Sequence, residues 1–418
     1  MQILLAPLIV LSVTFVASKF YRSKIVGLAA GLLLLSGAIA ARIVLPLPEN
    51  MALILFPLSI YFYYRSLKEG GILFASISGL LMGLIALVHA AAAFALGFTV
   101  TFITMGVLGT GLYTERDTSV IGRVLSVYVI FLITAVSVAA LWWLPALYFK
   151  NKGPGGVSTA LQTSSRLSIL KYPGALGYPA VILSAIGMIA AIRRFELEDR
   201  ILLFWVMALL ILSKIYYLGV NVITYRVLIY IMIPVSILAG GGLISAFNVI
   251  RARYENPARV LVAAVLILAT FQGFSNLSSA KVADYGAMTP HGRIEIAPPS
   301  ESEVELAEWF SREKGNGVIS FSNYYTAGFV MAYTNRPVNS ILYEAAGVPS
   351  SDELSNRSIK YLVFDKRLKA EGKFTWNVSE NLLFYNPSII NVSGLNYPYL
   401  ERAYENRDFV VYIHRPVQ

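Results

Sequence analysis

Ten apolar runs, separated by short charged or turn-forming clusters, fill the first two thirds of the chain, and no other feature constrains its fold as strongly. They fall at about 2–18, 25–41, 51–64, 71–88, 91–113, 124–148, 176–192, 201–217, 226–249 and 260–276. In lipid a backbone must satisfy its own N–H and C=O groups, so runs of this kind are expected as helices. The chain is therefore predicted to be an α-helical polytopic membrane protein. About ten transmembrane helices lie in residues 1–276, and a small C-terminal α/β soluble domain follows in 277–418. A hydrophobic content of 56% with only 14% charged residues agrees with this. The opening run lacks a basic leader and a small-residue cleavage site, so it reads as a helix and not a signal peptide.

The net charge of +10 would suit a nucleic-acid binder, but its distribution does not. Residues 1–276 hold 20 Lys/Arg against 8 Asp/Glu, whereas 277–418 hold 14 against 16. The excess sits in short loops between spans, which is a topology signal, and no nucleic-acid partner is expected. The chain has no cysteine, which excludes disulfides, thiolate metal sites and thiol nucleophiles. For an exported domain this points to a prokaryotic envelope.

Alternate loops collect Lys19, Arg22, Lys24, Arg65, Lys68, Arg116, Arg123, Arg193, Arg194, Arg200, Arg251, Arg253 and Arg259. The other set has Arg42, Lys150, Lys152, Arg166, Lys171 and Arg226 over a longer total length. The first set marks the cytoplasmic side, so the expected location is the plasma membrane, multi-pass, with the N-terminus and the C-terminal domain extracytoplasmic. Glycosylation-type sequons at Asn276, Asn356, Asn377 and Asn391 all avoid the inner loops. A chain that begins outside and directly in a helix is expected to follow an odd number of upstream helices.

In the tail, Pro298, Pro299 and a Ser300 cap precede Glu301, Glu303 and Glu305, the start of a helix with Val304, Leu306, Ala307, Trp309 and Phe310 on its apolar side. Strands are predicted at 317–321, 359–364 and 409–414, with a short helix at 325–333 and a turn at Asn335-Arg336-Pro337.

Seven of the eight acids before residue 277 fall in inner loops, which leaves Glu49 as the one carboxylate offered to the outer face. Pro46 and Pro48 force a non-helical entry there. His89, Lys214 and Arg226 also stand near the outer ends of apolar runs, with Tyr216, Tyr217 and Tyr225 beside the last two. Polar groups inside spans are costly and usually face a cavity or a partner, so a shared level suggests one site. Arg226 and Lys214 suit a phosphate or pyrophosphate headgroup, and Glu49 suits a base or metal ligand. Each has a structural alternative: snorkelling for the cations, an aromatic belt for the tyrosines, helix packing for His89, and helix capping for Glu49.

Three stretches resemble the GT-C membrane glycosyltransferases, in particular the oligosaccharyltransferase catalytic subunit and its archaeal relatives. Arg42-Ile-Val-Leu-Pro-Leu-Pro-Glu49-Asn50 resembles the acidic second external loop. Tyr225-Arg226-Val-Leu-Ile-Tyr230 with Pro234 and the run Ala239 to Gly242 is similar to a late helix whose arginine meets the lipid-linked phosphate. Asn323-Tyr324-Tyr325 sits where the family has its WWDYG motif, although the Trp-Trp-Asp is absent. The first external loop with its acidic motif has no counterpart, and the outer loop 149–175 contains no acid.

The resemblance implies transfer of a sugar from a polyprenyl-phosphate or pyrophosphate donor to a glycan, lipid or protein acceptor, with protein glycosylation as one form. Glu49 would be catalytic, and Arg42, His89, Lys214, Tyr225, Arg226, Asn323 and Tyr324 would bind substrate. A divalent cation, Mg or Mn, would want two or three oxygen ligands where the membrane half offers one. The metal-free route has Glu49 deprotonate an acceptor hydroxyl while Arg226 and Lys214 stabilise the departing phosphate. A catalytically silent relative that binds glycan or assists assembly is the competing reading, favoured by the missing loop and the lost Trp-Trp-Asp. Against a transporter or flippase stand the lack of an internal repeat, of paired discontinuous helices and of mid-membrane charge.

Overall fold

A computed structural model describes residues 2–44, 47–114, 119–150, 167–220, 222–278, 299–313, 315, 317–339, 347–379 and 382–416. The chain divides into two compact units, Met1–Ala280 and Lys281–Gln418.

Every apolar run of the first unit is helical. In order these are α1 (Gln2–Tyr21), α2 (Lys24–Leu34), a 3-10 helix (Ala38–Val44), α3 (Pro48–Glu69), α4 (Ile72–Val88), α5 (Ala90–Thr114) and α6 (Ser119–Lys150). After them come a short α7 (Tyr172–Leu176), α8 (Tyr178–Arg194), α9 (Leu197–Lys214), α10 (Thr224–Arg251) and α11 (Glu255–Ser278). Among the described residues six helices are long and apolar enough to cross a membrane alone, or up to eight counting each of two bent pairs as one span. The expectation of about ten spans counted α3 and α4 with these. α4 is a shorter apolar helix, and α3, though 22 residues long, carries Asn50, three tyrosines and Arg65, which dilute its apolarity.

Helix α10 is the hub: 94% of its span is buried, against 17% for α11, which lies at the edge. It packs on α8, α2 and α9. Its glycines let it do so. A Cβ on Gly242 would stand 1.9 Å from the Leu183 carbonyl oxygen, and one on Gly187 of α8 would stand 2.1 Å from that of Leu238. The two backbones touch, as small residues allow when helices associate by packing in lipid.

The sequence reading saw no paired discontinuous helices, and here the structure corrects it. α2 bends by 93° into the 3-10 helix, and the segment 169–176 bends by 107° into α8. The bends meet. A Cβ on Gly37 would strike the Ala175 carbonyl oxygen at 2.4 Å, and one on Gly177, whose φ is +92°, would strike the Ser36 hydroxyl at 2.4 Å. Asn276 Nδ2 donates to the carbonyl oxygens of Leu35 (3.0 Å) and Gly37 (3.1 Å), which satisfies acceptors freed by the first bend. The first bend lies inside a continuously apolar run, so hydropathy gave no sign of it, whereas the second falls among Pro173, Gly174, Gly177 and Pro179, just where the predicted run begins.

The second unit is a five-stranded mixed sheet with helices, in the order β2-β1-β3-β7-β6. The strands are β1 (Val318–Phe321), β2 (Val338–Asn339), β3 (Ile359–Asp365), β6 (Leu400–Glu405) and β7 (Phe409–His414), and a separate β4 (Trp376–Ser379) pairs with β5 (Leu382–Tyr385). β1 runs parallel to β2 and β3, while β7 is antiparallel to β3 and β6. α12 (Glu301–Arg312) begins with a reciprocal Ser300–Glu303 capping box and packs Leu306 and Phe310 against Ile319, Phe321 and Tyr361. α13 (Tyr324–Thr334) ends at Asn335, whose φ of +55° makes the turn.

Candidate active site

Pro48 takes the first position of α3, where its missing N–H costs nothing, and Glu49 follows in the first turn beside the helix's positive end. Asn50 Nδ2 donates to the carbonyl oxygens of Arg42 (3.0 Å) and Ile43 (3.1 Å), tying the 3-10 helix back over α3. That tie brings Arg42 Nη2 to 3.5 Å from Glu49 Oε2. Pro46 lies outside the described residues.

The other carboxylate oxygen, Oε1, accepts from the Tyr230 hydroxyl at 2.9 Å, and that hydroxyl lies 3.4 Å from His89 Nδ1. His89 stands at the junction of α4 and α5, where Nδ1 accepts the Ala92 N–H at 3.1 Å. A neutral His89 therefore carries its proton on Nε2, and the tyrosine's proton belongs to Glu49. Phe56, two turns along α3, stacks on Tyr230 at 5.5 Å and on Trp205 at 6.0 Å, fixing the ring that holds the acid.

Arg226 sits one turn before Tyr230 on α10, is exposed, and acts electrostatically on both His89 and Tyr230. The Arg42 guanidinium lies over the Tyr225 ring at 5.5 Å, and Arg42 Nε is buried with no hydrogen-bond partner among the described residues. A buried donor left unpaired is costly and is expected to find an oxygen when the site is filled.

The structure thus gathers Glu49, Arg42, His89, Tyr225 and Arg226. Lys214 stands apart: its ammonium donates to the Leu167 carbonyl oxygen and to the Tyr216 hydroxyl (3.4 Å) and lies 5.1 Å from the Tyr172 ring. Asn323 and Tyr324 belong to the second unit. Asn323 is buried, caps α13 through the N–H groups of Tyr325 and Thr326, and donates to Asp365 Oδ2 at 2.8 Å. Burial pushes the Asp365 carboxyl up against the opposing pull of Arg367, which holds it through two nitrogens. Tyr324 is exposed beside this network. The outer loop 149–175 is outside the described residues from 151 to 166.

Tyr230 was missed as a site residue. Among 25 tyrosines it has no compositional signal, and only its position four residues after Arg226, on the same helical face, marks it. The described residues do not by themselves fit a divalent cation: Glu49 is the one carboxylate of the cluster, both its oxygens are engaged, and no group of three metal-ligating side chains occurs among them.

No family model matches the chain, and no curated protein sequence does. Solved structures do. The Archaeoglobus fulgidus oligosaccharyltransferase, crystallised with Zn and sulfate, superposes with a TM-score of 0.56 at 14% identity, covering 88% of this chain and 56% of that one. ArnT from Cupriavidus metallidurans gives 0.54 at 12% identity in the apo state, covering 99% and 82%, and 0.52 at 12% when bound to undecaprenyl phosphate, covering 99% and 83%. The chain spans little more than half the length of the oligosaccharyltransferase. Both neighbours are GT-C glycosyltransferases, and the fold of this multi-pass membrane protein is theirs.

Proposed function

We propose that the chain is a glycosyltransferase that takes a sugar from a polyprenyl-phosphate or pyrophosphate donor and passes it to a hydroxyl of a glycan, lipid or protein at the extracytoplasmic face of the plasma membrane. The observation that carries this is a buried carboxylate, Glu49, oriented by Tyr230 and flanked by Arg42 and Arg226 at one end of a GT-C bundle. The polyprenyl part draws support from the neighbour solved with undecaprenyl phosphate.

In this reading Glu49 accepts the proton of the acceptor hydroxyl as its oxygen bonds to the sugar's anomeric carbon. The bond from that carbon to the donor phosphate breaks, and its electron pair leaves on the phosphate. Arg226 meets the growing charge, and Arg42, with its spare Nε donor, is drawn from Glu49 towards the phosphate. Lys214 would act further along the lipid headgroup.

The test is transfer of labelled sugar from a polyprenyl-phosphate donor by the purified chain in lipid. Glu49→Gln is expected to lose at least ~10²-fold in rate, the usual worth of a general base. Arg226→Ala is expected to lose about 10²-fold. Wild-type rates in both folded variants would remove the assignment. A silent relative is favoured by the Arg42–Glu49 contact, which neutralises the one acid, and wild-type protein that binds donor without turnover would establish it.

A further inference from the structure

Below the tight contact at Gly187 and Gly242, α8 and α10 part and leave a cleft of about 500 Å³, lined by Ile186, Ile189, Ala190, Ser245, Val249 and Ile250 with Arg193 and Arg194 at one end. Its rim faces outward: Ile189 is 54% exposed and Val249 is 76% exposed on the surface of the bundle, so in the membrane this groove opens to lipid tails. The Ser245 hydroxyl is already bonded to the Gly241 carbonyl oxygen at 2.9 Å, which leaves the interior apolar.

The two arginines differ. Arg194 is engaged by Asp199, with Nη2 to Oδ1 at 2.7 Å and Nε to Oδ2 at 3.2 Å. Arg193 is exposed and has no carboxylate within ion-pair distance among the described residues, whereas Arg65 and Arg259 each pair with a neighbouring acid. An apolar channel closed at its headgroup end by an uncompensated guanidinium matches one chemistry, an anionic phospholipid with an acyl chain in the groove and its phosphate at Arg193.

We propose that the cleft between α8 and α10 is a binding site for an anionic phospholipid of the leaflet at the Arg193 end. The proposal is independent of the transferase reading, because it uses no residue of the Glu49 cluster.

Native mass spectrometry of the full chain tests it, with phosphatidylglycerol and phosphatidylcholine of matched chains as probes. Wild type is expected to retain phosphatidylglycerol preferentially. Arg193→Gln should weaken that retention about five-fold, the worth of one basic side chain at a membrane surface, and leave phosphatidylcholine unchanged. Ala190→Leu, which fills the groove while keeping the charge, should weaken it as well. If Arg193→Gln lowers binding but Ala190→Leu does not, the phosphate is held on the open surface and the groove assignment is overturned. Equal retention of both lipids by wild type, or displacement by millimolar inorganic phosphate alone, overturns it too. Unchanged thermal unfolding of both variants shows that any loss is one of binding.

Discussion

Two ends of the membrane unit bury carboxylates, and they hold them differently. At the Arg193 end Glu198 accepts from Tyr64 at 2.5 Å and Lys68 at 2.5 Å, with Arg22 at 4.0 Å. Asp199 is gripped by Arg194 and also accepts the Glu196 N–H at 3.3 Å. At the other end Glu49 has one phenol and an arginine at 3.5 Å, and that arginine keeps a donor unused. The first pair of acids clamps α3, α8 and α9 together, with Arg22, just after α1, at its margin. The second is positioned but not consumed, which is what a group that must exchange partners during a reaction requires.

The sharpest way to break this contrast is Glu49→Gln, which should abolish most sugar transfer while leaving the unfolding temperature close to wild type. If it unfolds the protein instead, Glu49 is a clamp like the others. Next, Arg194→Ala should leave the Asp199 carboxylate, only 4% exposed, without its partner. Arg194 itself is 44% exposed, so the expected loss is roughly 2 kcal/mol, below the cost for a fully buried pair, read by denaturation in detergent with transfer activity per folded molecule retained.

Tyr230→Phe removes one hydrogen bond to a charged group and should slow transfer about ten-fold with little change in donor affinity. A larger effect on KM than on kcat would mean that the phenol binds donor and does not orient the base. The smallest effect belongs to the soluble unit. Glu405 is partly buried, which would raise its carboxyl, but hydrogen bonds from Lys366 (3.0 Å) and Ser393 (2.8 Å) win and hold it below the usual glutamate range. A depressed carboxyl stabilises the fold above its ordinary value of 4.5 and loses that contribution as the pH falls below it. Protection of 400–405 against hydrogen exchange, taken relative to the intrinsic rate at each pH, should therefore fall below about pH 4.5, and Glu405→Gln should flatten the change.

Much of this was legible in the order of residues. Each apolar run became a helix because lipid leaves the backbone no other economical state. In the tail the Ser300 cap, the Asn335 turn and the apolar strands β1, β3 and β7 announced themselves. β6 did not, since an edge strand carrying Glu401, Arg402 and Glu405 presents no apolar run, and β2 is two residues long. At the site Glu49 stood out as an acid on the side that lacked them, and Arg226 as a cation opening a span. Tyr230 was hidden among its many kin. Lys214, grouped with Arg226 by depth alone, is directed elsewhere by the Leu167 carbonyl, a backbone partner that no pattern of side chains reveals.

Helix α3 carries a further consequence. With Tyr61, Tyr63 and Tyr64 buried on its flanks and too little hydrocarbon character to cross unaided, it is a poor candidate for independent release from a translocon. It must enter the bilayer alongside α1 and α4, against which it packs. The Tyr230 hydroxyl that orients Glu49 comes from α10, near the end of the membrane unit, so the carboxylate is not held in place until that helix has packed against α3.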